Sequence, residues 1–292
     1  VRAAAGPLPG PQVRSPGSCR SQLSPVEDSG SKPKATALGT AVTLRGMSTT
    51  AELIAQLEHS DAGRRRQAAL ALGSSGDETA APALVARLGS EANSCVREDL
   101  TWATVQMIHA TLPAVLAMLI SENPDDRRTG AHVLSKVGDP AHFERLAPLV
   151  DDQHPDVAIK AYRAVANTAA PQAPARLATR LGDGDALQRD ALSAAFCRLG
   201  EPAVPVLVEA LDASEARVRE HAAEALGYLG GAAAAAAAAL TTSALTDEAA
   251  EVRLMAASAL RQLGEAAIEG LGQLSGSSDA TVAAVAGRSL TC

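Results

Sequence analysis

Aromatic side chains are nearly missing from this 292-residue chain, which holds Trp102, Phe143, Tyr162, Phe196 and Tyr228 and no others. Ala, Leu and Val have to fill the core instead, and small aliphatic side chains in close-packed helices favour an all-α fold. The four cysteines, Cys19, Cys95, Cys197 and Cys292, stand far apart with no C-x-x-C pair and no histidine cluster beside them. Neither a disulfide framework nor a structural zinc site is signalled, and they read as reduced thiols. No apolar run approaches the roughly 20 residues that cross a bilayer. A phosphate-binding loop is also lacking, because Gly73 and Gly76 do not lead into a Lys-Ser or Lys-Thr pair. No nucleophile stands with a base and an orienting acid at a recognisable spacing. His59, His109, His142 and His154 read as polar residues at helix boundaries, so no catalytic residue, cofactor or metal is expected.

Residues 1–46 carry Pro, Gly and Ser clusters such as Gly6-Pro7-Leu8-Pro9-Gly10-Pro11 and no helical apolar period, which predicts a disordered tail. They lack the apolar stretch of a secretory signal, and their prolines oppose the amphipathic helix of a transit peptide. Met47, directly before Ser48-Thr49-Thr50, is expected as the biological start, and the chain is expected in the cytoplasm. The tail has six basic residues against Glu27 and Asp28, so the remainder is more acidic than the chain's net charge of −7. That balance argues against unselective binding to nucleic acid or to an anionic membrane.

Residues 47–292 repeat. A cassette, complete at Val218-Arg219-Glu220-His221-Ala222-Ala223-Glu224-Ala225-Leu226-Gly227, recurs with its arginine position at Arg65, Arg97, Arg127, Ala158, Gln188, Arg219, Arg253 and Ala283. Successive steps are 32, 30, 31, 30, 31, 34 and 30 residues. A fixed period of this kind predicts a right-handed α-solenoid of about eight short helix pairs, since one pair cannot bury its apolar face alone. Asp61, Asn123 and Asp279 are placed to N-cap second helices. The glycines from Gly73 to Gly76, and at 138, 200, 230, 231 and 264, read as unit ends suited to left-handed caps. The alanine run Ala232 to Ala239 is expected to form a helix that its neighbours approach closely.

In each second helix the residue before the arginine position and those three, four, six and seven after it share one face, which is core. The recurrent Arg65, Arg97, Arg127, Arg219 and Arg253 are expected as a structural ladder bonding carboxylates and carbonyls of adjacent units. Positions one, two, five and nine after the arginine are expected to face the concave side. There Trp102, His132 and Arg163 fall on successive units in a row about 20 Å long, at on the order of 10 Å per helix. With Lys136, Glu224 and Tyr228 they are the candidate partner-binding residues, Trp and Arg being the usual anchors of interfaces. The equal alternative is that Trp102 fills a gap and the others are merely solvated. Arg128, Lys136, Lys160, Arg163 and Arg189 thicken the positive charge at mid-stack between acidic ends, which suits an acidic peptide or a phosphate-bearing ligand.

The cassette, complete at 218–227 and recognisable at Asp61 to Gly73 and at 252–260, resembles the HEAT-like repeats of the phycobilin lyase type. The resemblance covers about 49–292 and implies the α-solenoid; it implies no single function, since such repeats include scaffolds, bilin lyase subunits and metal-dependent deoxyhypusine hydroxylases. The hydroxylases would present His-Glu dyads just after the arginine position to hold two irons. Here only Glu220-His221 is similar, in reversed order. The resulting expectation is a non-catalytic scaffold or adaptor that holds a protein or peptide along its concave face, with an enzyme or enzyme subunit of bilin-lyase or hydroxylase kind as the alternative.

Overall fold

The computed structural model describes residues 48–290; the expected tail at 1–46 and Met47 lie outside the described residues. Eight helix pairs follow one another: α1 (Thr50–Gln56) with α2 (Ala62–Ser75), α3 (Ala81–Ser90) with α4 (Ser94–Gln106), α5 (Ile108–Met118) with α6 (Pro124–Val137), and α7 (Phe143–Leu146) with α8 (Pro155–Asn167). The second half continues with α9 (Ala173–Ala178) and α10 (Ala186–Leu199), α11 (Val204–Ala210) and α12 (Ala216–Leu229), α13 (Ala237–Thr246) and α14 (Ala250–Leu260), and α15 (Ile268–Ser275) and α16 (Ala280–Leu290). Second helices stack on one another, α2 on α4, α6 on α8 and α12 on α14, so one core runs the length of an all-α solenoid.

Helix starts are dictated locally. Asp61 takes the Arg64 N–H, Asn123 the Asp125 N–H, and Asp279 the N–H groups of Thr281 and Val282, satisfying donors that a helix start leaves without partners. Tyr162, Phe196 and Phe143 are buried among Leu, Val and Ala, whereas Trp102 stays 39% exposed. Among the described residues the longest helices run 14 residues, short of a bilayer span. The apolar stretch Ala216–Thr246 is no exception, because it is broken at Gly230 (φ 57°, ψ −132°) and Ala233 (φ −94°, ψ 19°).

Two expectations need correction. The alanine run does not form one helix: Gly230–Ala236 is a 3-10 segment, and only Ala237 onward belongs to α13. Several other first helices are entered through short 3-10 turns, at Glu78–Ala80, Glu201–Ala203 and Gly264–Ala267, so the geometry of the unit overrides alanine's helix propensity. The cassette glycine is not a cap either. Gly73 and Gly227 lie inside α2 and α12, where an added Cβ would sit 2.9 Å from the Ala103 Cα and 3.0 Å from the Ala259 Cα respectively. Glycine there lets successive second helices touch backbone to backbone, and the left-handed cap of α2 falls three residues later, at Gly76 (φ 65°).

The arginine ladder is an inter-unit clamp. Arg219 donates Nε to Asp247 Oδ2 (2.8 Å) and Nη2 to Oδ1 (2.9 Å), while Nη1 donates to the Ala213 and Ser214 carbonyls (2.8 and 3.0 Å). Arg65 holds Glu91 and Arg127 holds Asp152 in the same way, whereas Arg253 puts both Nε and Nη2 on one oxygen, Asp279 Oδ2. Each clamp joins the loop inside one unit to the loop inside the next. In all four clamps the acid also accepts the N–H two residues on, at Asn93, His154, Ala249 and Thr281. Burial opposes ionisation of Glu91, but the guanidiniums of Arg65 and Arg87 prevail and bring its carboxyl down to about 2.

Arg97 departs from the ladder. Its acid position is Ser121, so Nη1 reaches only the Glu91 carbonyl at 3.2 Å and no carboxylate is held. Where Ala158 and Gln188 replace arginine there is likewise no clamp, and Gln188 closes a capping box with Asp185 instead. In urea denaturation Arg219→Ala is therefore expected to cost about 3 kcal/mol, because Asp247 is left buried and unpaired. Arg97→Ala is expected to cost about 1 kcal/mol, the worth of one carbonyl bond. Equal losses in the two variants would show that the carboxylate is not what the ladder depends on.

Candidate functional site

The candidate residues divide into two groups. Trp102 on α4, His132 and Lys136 on α6, and Arg163 on α8 follow one another along the stacked second helices. Glu224 and Tyr228 lie on α12, two helices beyond α8, and the intervening α10 presents Ser193, which is buried, at the matching position. One continuous row through all six is not formed.

Trp102 is packed along one edge and exposed along the rest. An added Cβ at Gly73 would lie 2.6 Å from Trp102 Cζ3, so one edge of the indole rests on the glycine of the preceding unit. Its outer part lines a shallow cleft of about 230 Å³ together with Glu98, Thr101, Val105 and Lys136. His132 and Lys136 are less available than the sequence implies, because both bond one carboxylate: His132 Nε2 to Glu98 Oε2 at 3.1 Å and Lys136 Nζ to Glu98 Oε1 at 2.7 Å. Lys136 holds the Glu98 carboxyl below its ordinary value against the opposing effect of burial, with His132 adding to the depression. Burial lowers the His132 pKa despite Glu98, so the ring is neutral at pH 7; its Nδ1 is buried without a partner. Arg163 is exposed and makes no hydrogen bond or ion pair among the described residues.

Behind the Glu98 bridge a second cleft, of about 180 Å³, opens between α4 and α6. Ser94, Arg97, Glu98 and Thr101 line it from α4, Arg128, Thr129 and His132 from α6, and Lys160 from α8. Lys160 is half-buried and has no acid bonded to it; burial lowers its pKa, and the neighbouring charges of Arg128 and Arg163 lower it further. Arg97 and Lys160 are the residues whose part in this cleft the sequence reading missed, one having been placed in the ladder and the other left in a general positive trend. Ser121, two residues before the cap Asn123, was the available signal that Arg97 has no carboxylate.

The α12 group is acidic. Arg189 Nη2 lies 3.8 Å from Glu220 and 3.6 Å from Glu224. Burial raises the Glu224 pKa against the pull of Arg189, and burial with the nearby Glu224 and Asp190 charges raises that of the Tyr228 phenol. His221, expected at an outward position, is instead fully buried. Its Nδ1 accepts the Gly182 N–H at 3.1 Å, so the neutral ring carries its proton on Nε2 and donates it to Ser193 Oγ, also at 3.1 Å. Both ring nitrogens are occupied inside the core, and no group of three His, Cys, Asp or Glu side chains among the described residues could share a metal ion. Glu220 and His221 do not fit an iron site.

A protein-family comparison matches the description HEAT repeats over residues 27–104, 112–196, 185–261 and 204–291. Curated protein sequences give no match. Among solved structures, the chain is similar to Kap121p at 13% identity and a TM-score of 0.51, covering 82% of this chain and 33% of that one. The chain thus spans a third of Kap121p, and the likeness is one of fold. It is also similar to the complex of CpcE and CpcF of phycocyanin lyase from Nostoc sp. PCC7120, at 20% identity, 82% and 98% coverage and a TM-score of 0.40. Human deoxyhypusine hydroxylase in complex with glycerol is similar at 19% identity, covering 83% of this chain and 94% of that one, with a TM-score of 0.34.

Two measurements follow from this geometry. Gly73→Ala is expected to displace the indole and red-shift the fluorescence of the chain's one tryptophan, at a cost of about 1 to 3 kcal/mol for overpacking; unchanged emission would mean that Trp102 does not rest on Gly73. Burial, aided by the charge of Arg189, lowers the His221 pKa from 6.5 to about 4. The unfolded ring therefore binds its proton before the folded ring does, and stability present above pH 6.5 is expected to fall by roughly 2 to 3 kcal/mol on acidification to pH 4. His221→Gln should flatten that stretch of the pH–stability curve, leaving the loss below pH 4.5 that comes from carboxylates such as Glu91.

Proposed function

The chain belongs to the HEAT-repeat family, and from that premise we propose that it is a non-catalytic scaffold of the cytoplasm that holds an acidic protein partner along its stacked second helices. The observation that carries this reading is Trp102. In a chain that buries most of its few aromatics, its single tryptophan is seated on Gly73 and left 39% exposed beside a cleft, with Lys136 in that cleft and Arg163 unpaired two helices on. An aromatic anchor flanked by cations is what a partner with apolar and acidic side chains would engage. Glu224 and Tyr228 are assigned to a second contact, with Arg189 reducing the acidity of that region.

Affinity capture from cell extract with the whole chain, beside a Trp102→Ala, Arg163→Ala variant of unchanged helicity, tests the reading. A specific protein held by the native chain and lost from the variant is the expected result. Retention of the same protein by the variant, or turnover of a small molecule by the purified chain, would count against the scaffold.

A further inference from the structure

The cleft between α4 and α6 carries an inference that rests on the scaffold reading and makes it chemically specific. We propose that this cleft binds a phosphate monoester, presented by the protein partner as a phosphorylated serine or threonine, with Arg97, Arg128 and Lys160 as the residues that hold it.

Three independent observations converge there. Arg97 is the ladder arginine whose acid has become Ser121, so its Nε and Nη2 take no acceptor among the described residues although the side chain lines the cleft. Lys160 is half-buried near Arg128 and Arg163; Glu98 and Asp156 attract it only at a distance, and it forms no ion pair with a carboxylate among the described residues, so its desolvation is poorly compensated. Ser94 and Thr129 line the same wall, and neither hydroxyl is hydrogen-bonded among the described residues. A phosphomonoester offers about two negative charges and three acceptor oxygens, which these donors would satisfy.

Charge decides between phosphate and carboxylate. Arg97, Arg128 and Lys160 outnumber Glu98, the one acid in the wall, and Glu98 is already bonded to Lys136 and His132. Arg128 is drawn only to Asp125, at 3.2 Å, on the exposed side. A single carboxylate would leave the site with surplus positive charge, whereas a dianion balances it. The neighbouring cleft that contains Trp102 shares Glu98 and Thr101 with this one, so a phosphorylated segment can place its phosphate here and an apolar side chain against the indole.

The test titrates the whole chain with O-phosphoserine and, separately, with glutamate, followed by calorimetry. One saturable site for O-phosphoserine is expected, weakened about tenfold or more by Lys160→Met, since a bond to a charged group is lost. Because Lys160 is an unpaired half-buried charge, the same substitution is expected to raise the thermal midpoint, a combination that a merely structural lysine would not give. Arg128→Ala provides a second variant with the same expected loss of binding. Glutamate binding as well as O-phosphoserine, or unchanged O-phosphoserine affinity in both variants, overturns the proposal.

Partner capture separates this proposal from the scaffold itself. Capture lost after phosphatase treatment of the extract supports the phosphate site. Capture that survives phosphatase and Lys160→Met but fails in the Trp102→Ala, Arg163→Ala variant overturns the phosphate site and leaves the scaffold standing. Capture abolished by nuclease instead would assign the cleft to a nucleic-acid backbone and overturn the proposal.

Discussion

Four of the seven junctions between units are held by an arginine on one second helix gripping an acid in the loop of the next unit. Hydrophobic stacking alone would let neighbouring units slide, since Ala, Leu and Val surfaces are smooth and non-directional. The fork of Arg219 on Asp247, with two loop carbonyls on its third nitrogen, fixes both distance and orientation at once. Cassette glycines complete the arrangement by letting α2 meet α4, and α12 meet α14, at backbone contact. Charge is thereby spent on register, and the candidate site arises where that spending stops, at the junction whose acid is Ser121.

Much of this was legible in the sequence because it follows from period and local chemistry. A spacing near 31 residues predicted the stacked pairs, and short polar side chains at Asp61, Asn123 and Asp279 predicted helix starts that depend only on neighbours in the chain. The ladder was legible as structural because a charge repeating at one position in five of eight units is rarely a site. What escaped was decided between units. Gly73 read as part of a unit end, yet its role, like that of Gly227, is set by Ala103 and Ala259 on the following second helices. His221 read as outward by helical phase, yet Gly182 and Ser193 of the preceding unit enclose it. The alanine run has the highest helix propensity in the chain and still bends, because the unit has to turn there.

The candidate site shows the same division. Trp102 was identifiable as unusual because it is the one tryptophan, but that its edge is seated and its face open depends on a glycine 29 residues earlier. His132 and Lys136 looked like free contacts until Glu98 was seen to bind both. Arg97 became interesting only through what it lacks. Pattern reading recognises a residue that repeats; it recognises much less well a repeated residue whose partner has been replaced.

The clamps are also unevenly distributed. They join the first unit to the second, the third to the fourth, and the last three to one another, while Arg97, Ala158 and Gln188 leave the second-to-third junction and the two central junctions without an arginine fork. In mechanical terms the forks define two clamped pairs and one clamped block of three, with Trp102 in the first pair and Tyr228 in the block. A ligand that touches only one of them leaves the angles at the unclamped junctions to thermal motion, whereas one that spans several fixes those angles at a cost in bending entropy. For the scaffold proposed above, length of contact as well as its chemistry would then set how strongly it discriminates among partners.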